Sequence, residues 1–366
     1  MAGIAEVVDA EPLSKAQLLS RIESVTLDFL KAVERGEDPE LHLAARSESN
    51  VVRDRTGCIH LGQATSTKKL FARKARGAKK VAKIWQTLAF IQKLIMEDKM
   101  VTQREVYYCL VNHFQSQSDF NNTLQEVIAL LHCTRSSLGI CASSSGAVAG
   151  LVLWQETGSE PIDCSAGSSC AHQIPGIIDG VTFHSIGARY ILVVEKDAVF
   201  TYLCGQHIWN TLPCVLITGC GYPPLSVRAT VKQLADQLQL PVLGLFDYNP
   251  HGVQILLTYK YGSTRMGMES HLYGVDVKWV GLHYVDVLGP NATVPSTALQ
   301  NWSPADEKTH TTVMGVTEQL GNPQFIQELR HMGQHKIKAE IEALNAESFE
   351  SLETLIIQKV LRKNYF

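Results

Sequence analysis

The chain has 366 residues, 45% of them hydrophobic and 19% charged, with a formal net charge of −3. That balance excludes a disordered or fibrous protein, and the length suits two domains with room for an extra segment. Mean hydropathy is near zero at −0.01, and no apolar run approaches the ~18 residues of a membrane helix, so no membrane partner is expected.

Residues 1–80 are expected to form an N-terminal extension for dimer or partner contacts. Its opening, MAGIAEVVDAEPLSKAQ, carries acids early and no apolar core of the kind a secretory signal needs. An amphipathic helix is predicted over 15–34, with Leu18, Leu19, Ile22, Val25, Leu27 and Leu30 along it, followed by polar and charged sequence. The net charge hides an asymmetry here. Between residues 53 and 104 thirteen Lys/Arg face three acids, a surplus of ten that leaves the rest of the chain at −13. A basic block on an acidic chain suits a polyanion touching one region, although a solvated face would look the same. The run RKARGAKK (73–80) also reads as a nuclear localisation signal.

A domain is expected over 81–156. Val81, Ile84, Trp85, Leu88, Ile91 and Leu94 follow helical spacing. Thr102-Gln-Arg-Glu105 reads as a capping box opening a second helix. A third helix is predicted from near Asn121, with Leu124, Val127, Ile128 and Leu131 on one face. Two strand-like runs follow, Leu138–Ala142 and Ala147–Trp154, joined by Ser-Ser-Ser-Gly. Three helices and a β-hairpin are the order of a winged helix-turn-helix, a unit that binds DNA in many proteins and protein in others.

Residues 157–187 are rich in Gly, Ser and Pro and are expected to be a linker or long loop. From 188 to 366 the pattern becomes strand–helix alternation. Strands are predicted at Tyr190–Glu195, Pro213–Gly219, Val242–Asp247 and Val277–Leu282, with helices over 197–206, 225–238 and 253–259 between them. That implies a parallel, Rossmann-like sheet. The last fifty residues read as helical, with Asn322-Pro323 as N-cap and first helical residue. The fold class is therefore mixed α/β.

In such sheets ligands sit beyond the carboxyl ends of the strands. Two strands end there in an acid, Glu195 and Asp247, and the second continues as Asp247-Tyr-Asn249-Pro-His-Gly252. Two carboxylates and an amide oxygen are hard donors of the kind Mg²⁺ takes, whereas either acid alone more often caps the next helix. There is no P-loop, since GCGYPP (219–224) lacks the Lys and Ser/Thr, and no G-x-S-x-G elbow. His331 and His335 have helical ligand spacing without the Glu of a zinc protease and read as surface polar residues. Nine cysteines, none in a C-x-x-C pair, argue against a disulfide framework or zinc ribbon and for a reducing compartment. The remaining candidate is Arg104-Glu-Val-Tyr107-Tyr108. Arg104 and Tyr108 share a helix face, while Tyr107 points about 100° away and is expected to pack. A tyrosine, with a pKa of ~10, needs a nearby cation to act as a nucleophile.

REVYY, VVEKDAVF, ITGCGYP, DYNPHG, YKYGS and KAEIEAL (338–344), in that order, resemble one family. It comprises the A subunit of topoisomerase VI and its eukaryotic relatives, the meiotic DNA double-strand-break proteins. The resemblance runs from about residue 80 to the end and is nearer the meiotic members, particularly the second plant-type paralogue. It implies a winged-helix domain carrying the nucleophile, then a Toprim domain binding Mg²⁺. Tyr108 takes the place of the family's nucleophile and Arg104 that of its active-site arginine. Glu195, Asp247 and Asn249 take the metal-binding places, and no further cofactor is expected. The resemblance further implies a 5′-phosphotyrosine link to double-stranded DNA, and a homodimer or a heterodimer with a paralogue. A topoisomerase VI B-like partner and action in the nucleus are implied as well. Asn249 replaces a second carboxylate, Cys220 a lysine, and Ser145 a basic residue before the wing glycine. The last two remove charge that would face phosphates, which keeps open a non-catalytic architectural paralogue. A further alternative is the A subunit of a true type IIB topoisomerase.

Overall fold

A computed structural model describes residues 7–69, 75–166, 171–264, 266–290, 292–346 and 350–366. The chain divides into two compact units. The first is Met1–Ser143 with Tyr261–Leu272; the second is Ser144–Lys260 with Tyr273–Phe366.

In the first unit the helix Lys15–Glu34 starts at a capping box between Ser14 and Gln17. Its Leu18 and Ile22 enter one core with Val81, Ile84, Leu88 and Ile91 of the helix Ala75–Met96 and with Leu124, Val127, Ile128 and Leu131 of the helix Gln117–Leu131. The N-terminal helix is thus built into the helical core, not appended to it. Of the other predicted apolar positions, Leu19 and Val25 pack half-buried against this core, while Leu27 and Leu30 face out.

The polar stretch after this helix holds strands the sequence pattern did not show. Glu40–Ala44 pairs antiparallel with Thr65–Lys69, and Ile59–Gly62 lies between Val7–Val8 and Val51–Arg53. Leu41 and Leu43, then Ile59 and Leu61, are buried alternately. Runs of four or five residues contain too few periods of two to stand out among flanking polar residues. Of the basic run 73–80, Arg73 and Lys74 lie outside the described residues.

The third helix starts at Gln117 with Ser116 as N-cap, four residues before the predicted Asn121. The hairpin expected after it is replaced by two separate pairings. Ile140–Cys141 runs parallel to Val101–Thr102, whereas Ala147–Gly150 pairs antiparallel with Cys214–Thr218 in the second unit. Val148 and Ala149 are both fully buried, which marks a strand covered on both faces; a wing would be half-exposed. Gly146, at φ +78°, admits the close approach: a Cβ there would lie 2.5 Å from the Thr218 carbonyl.

The second unit contains a six-stranded sheet in the order His172–Gln173, Ala147–Gly150, Cys214–Thr218, Tyr190–Val194, Val242–Leu245, Val277–Gly281. The last four strands are mutually parallel, as the strand–helix alternation predicts. The helices Asp197–Gly205, Leu225–Leu238 and Pro250–Tyr261 fall between them in sequence. The expected linker contains three short strands. Val181–Ser185 pairs over its length with Val152–Glu156, Ile162–Asp163 adds to that small sheet, and His172–Gln173 joins the large one. Val181 and Phe183 are buried, with Thr182 and His184 exposed, a period-2 signal that the surrounding Gly, Ser and Pro obscured. Near the C-terminus Asn322 caps the helix Pro323–His335 by accepting from the Gln324 and Phe325 amides.

Candidate active site

The short helix Gln103–Cys109 begins where its sequence predicts. Thr102 accepts from the Glu105 amide, and the Glu105 carboxylate accepts from the Thr102 amide at 2.6 Å. Val106 anchors the helix in the core, and Tyr107 packs on Phe120 with ring centroids 6.2 Å apart. The opposite face presents Tyr108, 57% exposed. A terminal nitrogen of Arg104 lies 3.5 Å from the Tyr108 hydroxyl, and the guanidinium carbon is 5.8 Å from the ring centroid. A guanidinium beside a solvent-facing phenol attracts an anion, such as a backbone phosphate, to the same point.

In the second unit, Glu195 and Asp247 lie just beyond the ends of adjacent parallel strands, 7% and 3% exposed. The Glu195 amide donates to the Leu245 carbonyl at 3.1 Å, and the Asp247 amide donates to the Glu195 carboxylate at 2.9 Å. Asp247 also accepts from the Ile341 amide at 2.9 Å. Burial, then the nearby Asp247 charge, pushes the Glu195 carboxyl up to about 8. Burial also raises Asp247, to about 6, against the pull of Lys196. Lys196 lies 3.2 Å from Asp247, 3.0 Å from Glu340 and 2.8 Å from Glu342. Burial disfavours its charge, but Glu342 and Asp247 outweigh that and raise its pKa.

Asn249 spends one lone pair of its amide oxygen on the Gly252 amide, 2.7 Å away, at the start of the following helix. Gly252 keeps the acid pair open. A Cβ there would sit 2.5 Å from the Asp247 carbonyl oxygen and 3.2 Å from the Glu195 carboxylate. Close, largely buried carboxylates with raised pKa values and a side-chain-free edge suit a hard divalent cation. The donors are all oxygens, the kind such a cation takes. Nearby, Cys220 adopts φ +55°, and its thiol, raised by burial and by Asp197, donates to the Asp197 carboxylate at 3.5 Å.

Lys196, Glu340 and Glu342 were not singled out from the sequence. The signal lay in two motifs already noted, the lysine after Glu195 in VVEKDAVF and the alternating acids of KAEIEAL. His331 and His335 both stack on Tyr284, with centroids at 4.1 and 5.6 Å.

Two family models match the chain. The Toprim-domain model of the topoisomerase 6 A-subunit/Spo11 family covers residues 190–360, and the type IIB DNA topoisomerase model covers 79–140. The meiotic recombination protein SPO11-2 of Oryza sativa subsp. indica is 36% identical, over 97% of this chain and 94% of its own length. Human meiotic recombination protein SPO11 is 31% identical over 95% and 88%. The A subunit of Arabidopsis thaliana DNA topoisomerase 6 is 30% identical over 94% and 80%. The chain belongs to the topoisomerase VI A/Spo11 family. The Toprim match contains Glu195, Asp247 and Asn249, and the type IIB match contains Arg104 and Tyr108. A Toprim domain typically binds a divalent metal, in keeping with the donors found here.

Proposed function

We propose that this chain is a DNA-cleaving transesterase that makes the double-strand breaks initiating meiotic recombination, acting in the nucleus. The observation that carries the reading is the exposed Tyr108 hydroxyl with the Arg104 guanidinium 3.5 Å away. A Toprim nuclease without a protein nucleophile has no use for it. The Tyr108 oxygen attacks a backbone phosphorus, forming a phosphotyrosine ester to the 5′ phosphate and breaking the P–O3′ bond. The phenolic proton is released and the 3′ oxygen leaves as a hydroxyl. Ester energy is conserved, so cutting needs no ATP. Arg104 stabilises the phenolate and the phosphate charge.

Glu195, Asp247 and Asn249 would hold the divalent cation, Mg²⁺, with Glu340 and Glu342 close to the same pair through Lys196. When bound, that cation neutralises charge on the phosphoryl and leaving oxygens. The acids' own contribution is to be held in position, which the Asp247 and Ile341 amides achieve by direct donation, and to give up their protons as the cation binds. Two chains, identical or paralogous, cut the two strands, the tyrosine of one working with the acids of the other. A topoisomerase VI B-like protein supplies any ATP-dependent step.

The test is recovery of the protein from meiotic cells under denaturing conditions, with end-labelling of attached DNA. Short oligonucleotides held through a 5′ phosphate on wild type and absent from Tyr108→Phe support the reading. Wild-type protein on chromatin without covalent DNA overturns it. That second outcome is what an architectural paralogue predicts, a reading favoured by Cys220, whose uncharged thiol meets Asp197 where the family resemblance leads one to expect a lysine. Relaxation of supercoiled DNA with ATP and a B-type partner would instead identify a true topoisomerase.

A further inference from the structure

Three residues distant in sequence meet in the first unit. Asp9 continues the strand Val7–Val8, whose pairing of Val8 with Leu61 sets Asp9 opposite His60. His271 comes from the turn of 3-10 helix Gly267–Tyr273, in the segment Tyr261–Leu272 that belongs to this unit. The Ala10 amide donates to the Met268 carbonyl at 3.2 Å and fixes one stretch against the other.

His60 Nδ1 lies 3.0 Å from each oxygen of Asp9, and His271 Nδ1 lies 3.5 Å from Asp9 Oδ1. One donor atom from each residue falls within 4.8 Å of the others. The imidazoles stack with centroids 5.2 Å apart and planes inclined by 21°. The 3.0 and 3.5 Å separations are close to the ~3.3 Å edge of a tetrahedron built on bonds of ~2.0–2.1 Å, and the two histidine donors fall within 4.8 Å of each other. His271 Nδ1 is buried and makes no hydrogen bond of good geometry, its contact being the Asp9 carboxylate at 3.5 Å. Behind His60 stands a second carboxylate: His60 Nε2 is 3.4 Å from Asp54 Oδ2. Asp54 is itself held by the Thr56 amide at 2.8 Å, the Thr56 hydroxyl at 2.6 Å and the Cys58 amide at 3.0 Å. A carboxylate that fixes the far nitrogen of a histidine is the usual support of a metal-bound imidazole.

We propose that Asp9, His60 and His271 form a Zn²⁺ site that ties the N-terminal strand to the returning segment 261–272. Two imidazole nitrogens and one carboxylate select a first-row transition metal over Mg²⁺ or Ca²⁺, and Zn²⁺ is content with three protein ligands and a water. All three side chains retain some exposure, at 13% for His60, 21% for His271 and 26% for Asp9, so the fourth corner is open to solvent. The site uses no residue of the Glu195–Asp247 pair.

The test uses the full chain carrying Glu195→Gln and Asp247→Asn, so that the acid pair takes up no metal. After chelation and removal of the chelator, Zn²⁺ is titrated and the bound metal counted by mass spectrometry. About one equivalent is expected to survive desalting, with a rise in Tm, and Co²⁺ should give the visible bands of a four-coordinate, imidazole-bound ion. His271→Ala and His60→Ala should each weaken Zn²⁺ binding by about 100-fold or more while far-ultraviolet circular dichroism stays unchanged. Failure of the parent to retain zinc at micromolar concentration, or a featureless Co²⁺ spectrum, overturns the site whether or not the variants fold. Equal retention by both alanine variants overturns it too, and leaves the cluster as a hydrogen-bonded ion pair.

Discussion

The backbone N–H of Asp247 donates to the Glu195 carboxylate at 2.9 Å, so two acids 52 residues apart in sequence are locked together at the ends of adjacent strands. The bond joins a main-chain group to a side chain, and sheet register therefore transmits directly to the spacing of the acid pair. Neither carboxylate needs a long side-chain search to reach its place, and both stay buried.

This burial makes the pair sensitive to pH. Glu195 rises from 4.5 to about 8 and Asp247 from 3.8 to about 6, chiefly by desolvation. Both hold protons more tightly in the folded chain than in the unfolded one. Without a divalent cation, stability is therefore expected to fall as pH climbs from the unfolded values through the folded ones, between about 4 and 8. A cation must displace those protons, so its affinity rises across the upper part of the same window. Thermal melts in chelator and in Mg²⁺, from pH 6 to pH 8.5, should show the Mg²⁺-dependent gain in Tm widening with pH. A gain independent of pH would remove the acid pair as the binding site.

Gly252 tests the space beside the pair. The Cβ of Gly252→Ala would meet the Asp247 carbonyl oxygen at 2.5 Å, and backbone at that distance gives way less readily than a side chain. The helix start and Asp247 must shift, with an expected loss of about 1–3 kcal/mol in stability. The Mg²⁺-dependent rise in Tm should shrink with it. An alanine variant that responds to Mg²⁺ like the wild type would mean that the glycine serves only the turn.

Lys196 stands among Asp247, Glu340 and Glu342 and neutralises part of their charge. Lys196→Met leaves those carboxylates facing one another. The variant is expected to melt lower than wild type in chelator and to recover more on adding Mg²⁺, because the cation then relieves more repulsion. Melting curves in both conditions measure this, and equal recovery by the two proteins would count against a shared electrostatic cluster.

The strand-end acids were legible because each closes an apolar run, Ile191 to Val194 before Glu195 and Val242 to Phe246 before Asp247. Thr102 and Glu105 were legible for a similar reason, since a capping box is complete within four residues. Lys196 with Glu340 and Glu342 depends on a stretch some 145 residues away folding back, which no local pattern announces. The partner of Ala147–Gly150 was hidden likewise. A four-residue Ser/Gly link permits a hairpin, and only the tertiary environment reveals that Cys214–Thr218 competes successfully for the strand.

Cys220 offers a gain-of-charge experiment. Its thiol is exposed at the turn after Cys214–Thr218, in the position where the family resemblance leads one to expect a lysine. If this turn faces DNA phosphates, Cys220→Lys adds one phosphate contact. The logarithm of DNA affinity against the logarithm of salt concentration should then steepen by about 0.9, with tighter binding at low salt. Asp197, now 3.5 Å from the thiol, is the competing partner for the new ammonium. Pairing Cys220→Lys with Asp197→Asn separates the two cases: the slope should steepen at least as much in the double variant. An unchanged slope in both would place the turn away from the DNA, and the loss of the family's lysine would then carry no cost in binding.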